Sequence, residues 1–229
     1  MTRLLQDLLG GARGAPLERT SVRRVLATLR SAPTDAVRAE LIEFNAAQNA
    51  VVPGRSRTRV NPWEPEELGA FLDHVAADPL GPVFELIAGT GLRRGEAAGP
   101  RWRDVNLEHG FLVIRQQVVQ LAGAVSHCQA CGGEHHGILF GPPKTTSGEA
   151  RRVDLGGHAA GALLMHKLAQ DAAREKLGVV YRDHDLVFAQ PSGDPINPER
   201  LTKRFSQLVA EAGLRRVRLH DLRHGRASL

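Results

Sequence analysis

Tyr181 is the only tyrosine among 229 residues, so a reactive site elsewhere in the chain has no phenol beside it in sequence. Cysteine is nearly as scarce. Cys128 and Cys131 are the only two, and two neighbouring cysteines do not make a secreted disulfide framework. No apolar run approaches a membrane span, and the N-terminus lacks the basic-then-apolar layout of a signal peptide. No internal repeat or low-complexity tract is present, which sets aside solenoids and arrays. A membrane partner is not expected; a cytoplasmic location is.

Hydrophobic residues make up 42% and charged residues 24% of the chain, the balance of a folded globular protein. Its length suits one substantial domain and a small one. The formal net charge of +5 favours a polyanionic partner, and its distribution sharpens that reading. Arg200, Lys203, Arg204, Arg215, Arg216, Arg218, Arg223 and Arg226 crowd the C-terminal stretch against only Glu199, Glu211 and Asp221. Arginine outnumbers lysine there, which suits planar, bidentate phosphate contacts.

Helical periodicity predicts two helices within residues 20–50. Thr20 or Ser21 caps the first, with Val22, Val25, Leu26 and Leu29 on one face. Thr34 or Asp35 caps the second, with Val37, Leu41, Ile42 and Phe44 as its stripe. This unit, residues 1–52, is too small for a core of its own. Residues 53–64 read as a basic linker in which Arg55, Arg57 and Arg59 can follow a DNA backbone or simply be solvated. The main domain spans 65–229. Helices are expected over 66–77, 80–90 and 93–98, the last stopped by Gly99-Pro100. Strands are expected over 111–121, 138–140 and 151–155, and helices over 159–177 and 197–212. A last helix starts near His220.

Three segments carry chemistry. In Gly89-Thr90-Gly91-Leu92-Arg93-Arg94-Gly95-Glu96, a glycine-bounded turn opens a helix and offers backbone N–H groups and Arg93 to an oxyanion. Alone, Arg93 reads equally well as a surface arginine. In Pro142-Pro143-Lys144-Thr145-Thr146-Ser147-Gly148-Glu149-Ala150-Arg151-Arg152-Val153-Asp154-Leu155, Lys144 sits at the edge of an expected hairpin, placed to reach a phosphate or to protonate a leaving oxygen. An exposed turn lysine is the plain alternative. In His220-Asp221-Leu222-Arg223-His224, His220 and Arg223 are three apart on one helical face and can meet one ligand. That pairing suits proton transfer combined with charge stabilisation.

Taken in order, these segments resemble the tyrosine recombinase (phage integrase) family, whose pattern is TGLR…E, a hairpin lysine, then HxLRH. The resemblance covers residues 20–229. It implies an α+β, mostly helical catalytic domain with a small three-stranded antiparallel sheet, preceded by a helical core-binding remnant. It further implies that Arg93 and Arg223 clamp the scissile phosphate of double-stranded DNA, and that Lys144 acts on the leaving 5′-oxygen. His220 would assist proton transfer and Glu96 would support the site. From the basic crowding of the C-terminal stretch, and not from the resemblance, Lys203 and Arg204 are expected to contact DNA. No cofactor is implied.

Departures from the pattern set further expectations. The family continues beyond HxLRH to a Leu-Gly-His segment and a tyrosine nucleophile, and Tyr181, lying upstream, does not match it. Pro100 stands where the family has an apolar residue. The layout is expected to be truncated at both ends and unable to cleave, since transesterification needs an attacking oxygen. Family members form tetramers on DNA, an assembly this truncation disfavours. The rival readings are a DNA-binding protein without catalysis and a non-functional fragment, because losing ~500 Å² of burial costs about 12 kcal/mol. Separately, Cys128, Cys131, His135 and His136 supply enough ligands for a structural zinc, although an extended hairpin loop explains the same stretch.

Overall fold

The computed structural model describes residues 2–12, 14–54, 61–127, 134–143 and 150–222, with the backbone alone over 121–127 and 134–136. The chain divides into two compact units, Met1–Arg59 and Val60–Leu229.

The first unit holds α1 (Thr2–Gly10) and α2 (Arg19–Arg38). Contrary to the expectation that so small a unit lacks a core of its own, Leu5, Val22 and Leu26 pack with Ala50 and Val52 into a small separate core. The separate helix expected from residue 34 does not form, because α2 runs through Pro33 to Arg38. An interior proline forfeits one helical hydrogen bond. Nearby, the Arg30 carbonyl accepts from Thr34 Oγ1 at 2.7 Å and from Asn45 Nδ2 at 2.8 Å. Glu40 then takes φ 57°, a left-handed conformation that ends the helix. Leu41 and Phe44 are consequently 76% and 71% exposed rather than a buried stripe. The returning segment is tied down by the Arg30 guanidinium, which donates to the carbonyls of Ala47 and Ala50.

The second unit opens with α3 (Pro65–Val75), where Pro65 fits the first turn and Glu64 and Glu67 form a capping box. α4 (Gly81–Thr90) and α5 (Arg94–Ala98) follow. The strands are β1 (Val105–Asn106), β2 (Phe111–Ile114), β3 (Gln117–His127), β4 (Glu134–Gly141) and β5 (Arg151–Asp154). α6 (Gly157–Leu177) and α7 (Pro198–Glu211) follow, α7 being capped by Asn197 Oδ1, which accepts from the Glu199 amide at 2.8 Å. The unit is thus mostly helical with small antiparallel sheets, as the family resemblance implies.

Pairing differs from expectation. The stretch 111–121 is not one strand: it breaks at Arg115-Gln116, where Gln116 Nε2 turns to donate to the Gly99 carbonyl at 2.8 Å. A three-stranded sheet runs β1-β2-β5 and a separate ribbon pairs β3 with β4. β4 and β5, which flank residues 142–150, therefore belong to different sheets and do not pair with each other.

The core is centred on an aromatic knot. Phe205 lies 5.1 Å from Phe71, 5.7 Å from Phe84 and 5.8 Å from Trp63. Trp63 Nε1 also donates to the Arg215 carbonyl at 2.9 Å, while the Arg215 guanidinium donates to the carbonyls of Asn61 and Pro62 and to Glu67 Oε2. This pairing holds the Glu67 carboxyl below its ordinary range. Among the described residues, no helix is long and apolar enough to cross a membrane.

Candidate functional site

The site grows from the α4–α5 turn. Gly91 caps α4 at φ 69°, its N–H donating to the Ile87 carbonyl at 2.8 Å, a left-handed position that favours glycine. Leu92 then plunges into the core at 0% exposure and fixes Arg93 at the head of α5. α5 lies directly on the backbone of the β2–β3 segment. A Cβ at Gly95 would stand 2.6 Å from the Val118 carbonyl oxygen, and one at Gly99 would stand 2.8 Å from that of Gln116. Only glycine allows that approach.

Glu96 is the electrostatic centre. It is 1% exposed and accepts from Arg93 twice, from Nη1 at 2.7 Å and from the backbone N–H at 3.0 Å. Arg151, at the start of β5, donates Nη2 to the same carboxylate at 3.5 Å. A buried carboxylate needs charged partners, and here it also fixes the direction of two guanidiniums that remain 39% and 40% exposed.

His220 stands on the single 3₁₀ turn Leu219–Asp221 and is exposed. Beside it, Arg218 donates Nε and Nη2 to Asp221 at 3.0 and 2.9 Å, which raises the Arg218 pKa further and locks the turn. Arg93 and His220, predicted from separate motifs, line one cleft of about 450 Å³ together with Arg94, Arg218 and Thr202. An adjoining cleft of about 620 Å³ shares Arg93 and Arg94 and is walled by Gln117 and Glu199. Gln117 Nε2 donates to the Pro142 carbonyl at 2.8 Å, so the segment leading to Lys144 departs from this wall. Such a surface offers guanidinium donors and an imidazole beside the apolar side chains of Ile87 and Leu219, and its donors suit a phosphodiester.

Lys144, Arg223, Arg55, Arg57 and Arg59 lie outside the described residues, as do Cys128 and Cys131. His135 and His136 are placed by backbone alone, in β4 opposite Ser126 and Val125. Among the described residues, no group of three or more His, Cys, Asp or Glu is arranged to hold a metal ion. Lys203 is exposed on α7. Arg204, expected from its charge to follow DNA, instead donates to Asp78 at 2.9 and 2.7 Å and to Glu211 at 3.0 Å. Those bonds raise its pKa, Asp78 first, and anchor α7 to the α3–α4 connection. Asp78 is a turn residue 126 positions away in sequence, a partner that charge counting does not reveal.

Tyr181 follows α6 and lines a different cleft, with Gln170, Pro191 and Arg200. Burial, and then the neighbouring Asp183, raise the pKa of its phenol, the wrong direction for an attacking oxygen. Motif reading gives no role to Arg94 and Arg218, which line the cleft, or to Arg151, which pairs with Glu96. Arg94 directly follows Arg93 in the first motif, Arg218 lies two residues before His220, and Arg151 opens a short alternating strand.

The second unit is mostly helical with small antiparallel sheets and presents arginines and a histidine in one cleft. The chain belongs to the phage integrase family, whose profile matches residues 64–228. An integrase of Saccharopolyspora erythraea is 25% identical over 93% of this chain and 57% of its own length. A tyrosine recombinase XerC-like protein of Caldanaerobacter subterraneus subsp. tengcongensis is 26% identical over 76% of this chain and 45% of its own. The chain thus spans roughly half the length of these relatives. The Tn1549 transposon integrase in complex with transposon right end DNA shares the fold with a TM-score of 0.76 at 17% identity, covering 98% of this chain and 71% of that one. Lambda integrase bound to DNA gives a TM-score of 0.57 at 18% identity, over 100% of this chain and 71% of the other.

Proposed function

We propose that the chain is the DNA-handling part of a site-specific recombinase, and that residues 1–229 by themselves bind duplex DNA without cutting it. The observation that carries this reading is the shared cleft: Arg93 and His220 come from motifs far apart in sequence and face one space. Arg93 is already directed by Glu96 before any ligand arrives, so little ordering is needed on binding.

In the reaction this site would serve, a tyrosine oxygen attacks phosphorus, a 3′-phosphotyrosyl bond forms, and the 5′-oxygen leaves and takes up a proton. Arg93 and Arg223 would hold the equatorial oxygens, His220 would assist proton transfer, and Lys144 would protonate the departing 5′-oxygen. Tyr181 does not serve as the nucleophile, since it opens into another cleft and its phenol is harder to ionise than usual. Clamping requires no nucleophile; cleavage does.

Fluorescence anisotropy with a labelled mixed-sequence duplex tests the binding half. Affinity should fall steeply with salt and be lost in the Arg93→Ala/Arg223→Ala double variant; unchanged binding in that variant overturns the proposed site. Incubation with nicked duplexes tests the other half, with no SDS-resistant protein–DNA adduct expected. An adduct would show that residues 1–229 do cleave.

A further inference from the structure

Arg151 lies in the second motif, where no role attaches to it, yet it shares the buried Glu96 carboxylate with Arg93. Strand β5 explains how it gets there. Alternation along the strand puts Val153 in the core and Arg151 on the same face. Arg152 and Asp154 occupy the opposite face, where Arg152 donates to Asp154 at 3.1 Å and lies 4.0 Å over the Phe111 ring. The two adjacent arginines of β5 therefore have different environments: one is paired at the surface, the other reaches the buried Glu96.

Arg93 alone satisfies Glu96. It supplies one positive charge to one negative charge, and its two hydrogen bonds are the short ones, 2.7 and 3.0 Å against 3.5 Å for Arg151. Among the described residues, a second guanidinium leaves one positive charge of this cluster uncompensated where both arginines are about two-fifths exposed. Arginine carries five N–H donors in a planar fork, and Arg151 has no partner other than Glu96 among the described residues. Two guanidiniums that donate to one carboxylate are neighbours, and each keeps further donors that a phosphodiester oxygen can accept from.

We infer that Arg151 is a further DNA-phosphate ligand, the excess charge that makes the Glu96 cluster an anion site rather than a closed ion pair. The inference rests on the DNA-binding reading above and deepens it. Arg151 contributes binding through its charge; its contact with Glu96 only aims it.

The test is the salt dependence of duplex binding, measured by anisotropy in wild type, Arg151→Gln, Arg151→Lys and Arg152→Gln. Each phosphate contact contributes about 0.9 to the slope of log affinity against log salt. Arg151→Gln, which keeps an amide donor toward Glu96, should lower the slope by about that amount. Arg151→Lys should keep the wild-type slope, and Arg152→Gln should also leave it unchanged. A full slope in Arg151→Gln overturns the inference, even if affinity falls equally at every salt concentration, since that pattern marks packing alone. If Arg151→Gln loses its far-UV circular dichroism, Arg151→Lys decides, and a lowered slope there overturns the inference. Failure of the wild type to bind duplex at all would instead sink the DNA-binding reading.

Discussion

The approach of α5 to the backbone of β3 can be tested with one methyl group. In Gly95→Ala the new Cβ would meet the Val118 carbonyl oxygen at 2.6 Å, whereas a close carbon–oxygen contact is about 3.3 Å, so the two elements must separate by ~0.7 Å. A backbone carbonyl in a paired strand cannot swing aside like a side-chain end. Overpacking of this kind costs about 1–3 kcal/mol. Alanine also favours a helix over glycine by roughly 0.5–1 kcal/mol, which would mask part of the loss. Gly69→Ala supplies the control, because Gly69 lies inside α3 and a Cβ there meets nothing within 4 Å. The difference between the two variants removes the propensity term and should equal the overpacking cost, with Gly95→Ala the less stable. For a domain of this size each kcal/mol moves Tm by about 2–4 °C. Tryptophan fluorescence is the suitable probe, since Trp63 and Trp102 both lie in the Val60–Leu229 unit. If the two variants agree within about 0.5 kcal/mol, the ordinary uncertainty of such comparisons, the contact does not constrain the fold as argued.

Other perturbations separate structural from functional groups. Phe205→Ala removes the ring shared by Trp63, Phe71 and Phe84 and should cost about 3–5 kcal/mol, with a red shift in Trp63 emission; an unshifted spectrum would contradict the packing described. Arg204→Ala should lower Tm by releasing α7 from Asp78 yet leave the salt slope of DNA binding intact, and a slope reduced by about one would return Arg204 to the DNA surface. His166 has its pKa lowered by burial, partly opposed by its hydrogen bond to the Val187 carbonyl at 2.8 Å. The unfolded chain therefore binds the extra proton more readily, so stability is complete above the ordinary histidine value of 6.5 and declines as pH falls below it. Urea titrations at pH 7.5 and 5.5 should show that decline in wild type and a smaller one in His166→Asn; equal declines would assign it to other groups.

Much of the main unit was legible because its signals are local. Helical periodicity, the Pro65 start, the Asn197 cap and the Gly99-Pro100 stop each act within a few residues. The misreadings arose where a distant partner decides. Leu41, Ile42 and Phe44 have helical spacing, but Asn45 and Arg30 hold that stretch back along α2, and spacing cannot report a hydrogen bond 15 residues long in sequence. The Val- and Ile-rich run after Phe111 reads as one strand, yet Gly99 captures Gln116 and divides it between two sheets. The site followed the same rule. Arg93 and Glu96 are three apart and visible together, while Arg151 reaches Glu96 across 55 residues and Arg204 finds Asp78 across 126.

The hydrogen bond from Trp63 to the Arg215 carbonyl also has a kinetic side. Its ends are 152 residues apart, and Phe205, the shared ring of the aromatic knot, is made almost as late. During synthesis at about 5–20 residues per second, roughly 8–30 s separate the appearance of Trp63 from that of Arg215. Through that interval Phe71 and Phe84 have helices to sit on but no α7 to cover them. The second unit consequently cannot close in stages from its N-terminal end; it closes late, when α7 and the segment that carries Arg215 fold back onto residues 61–67.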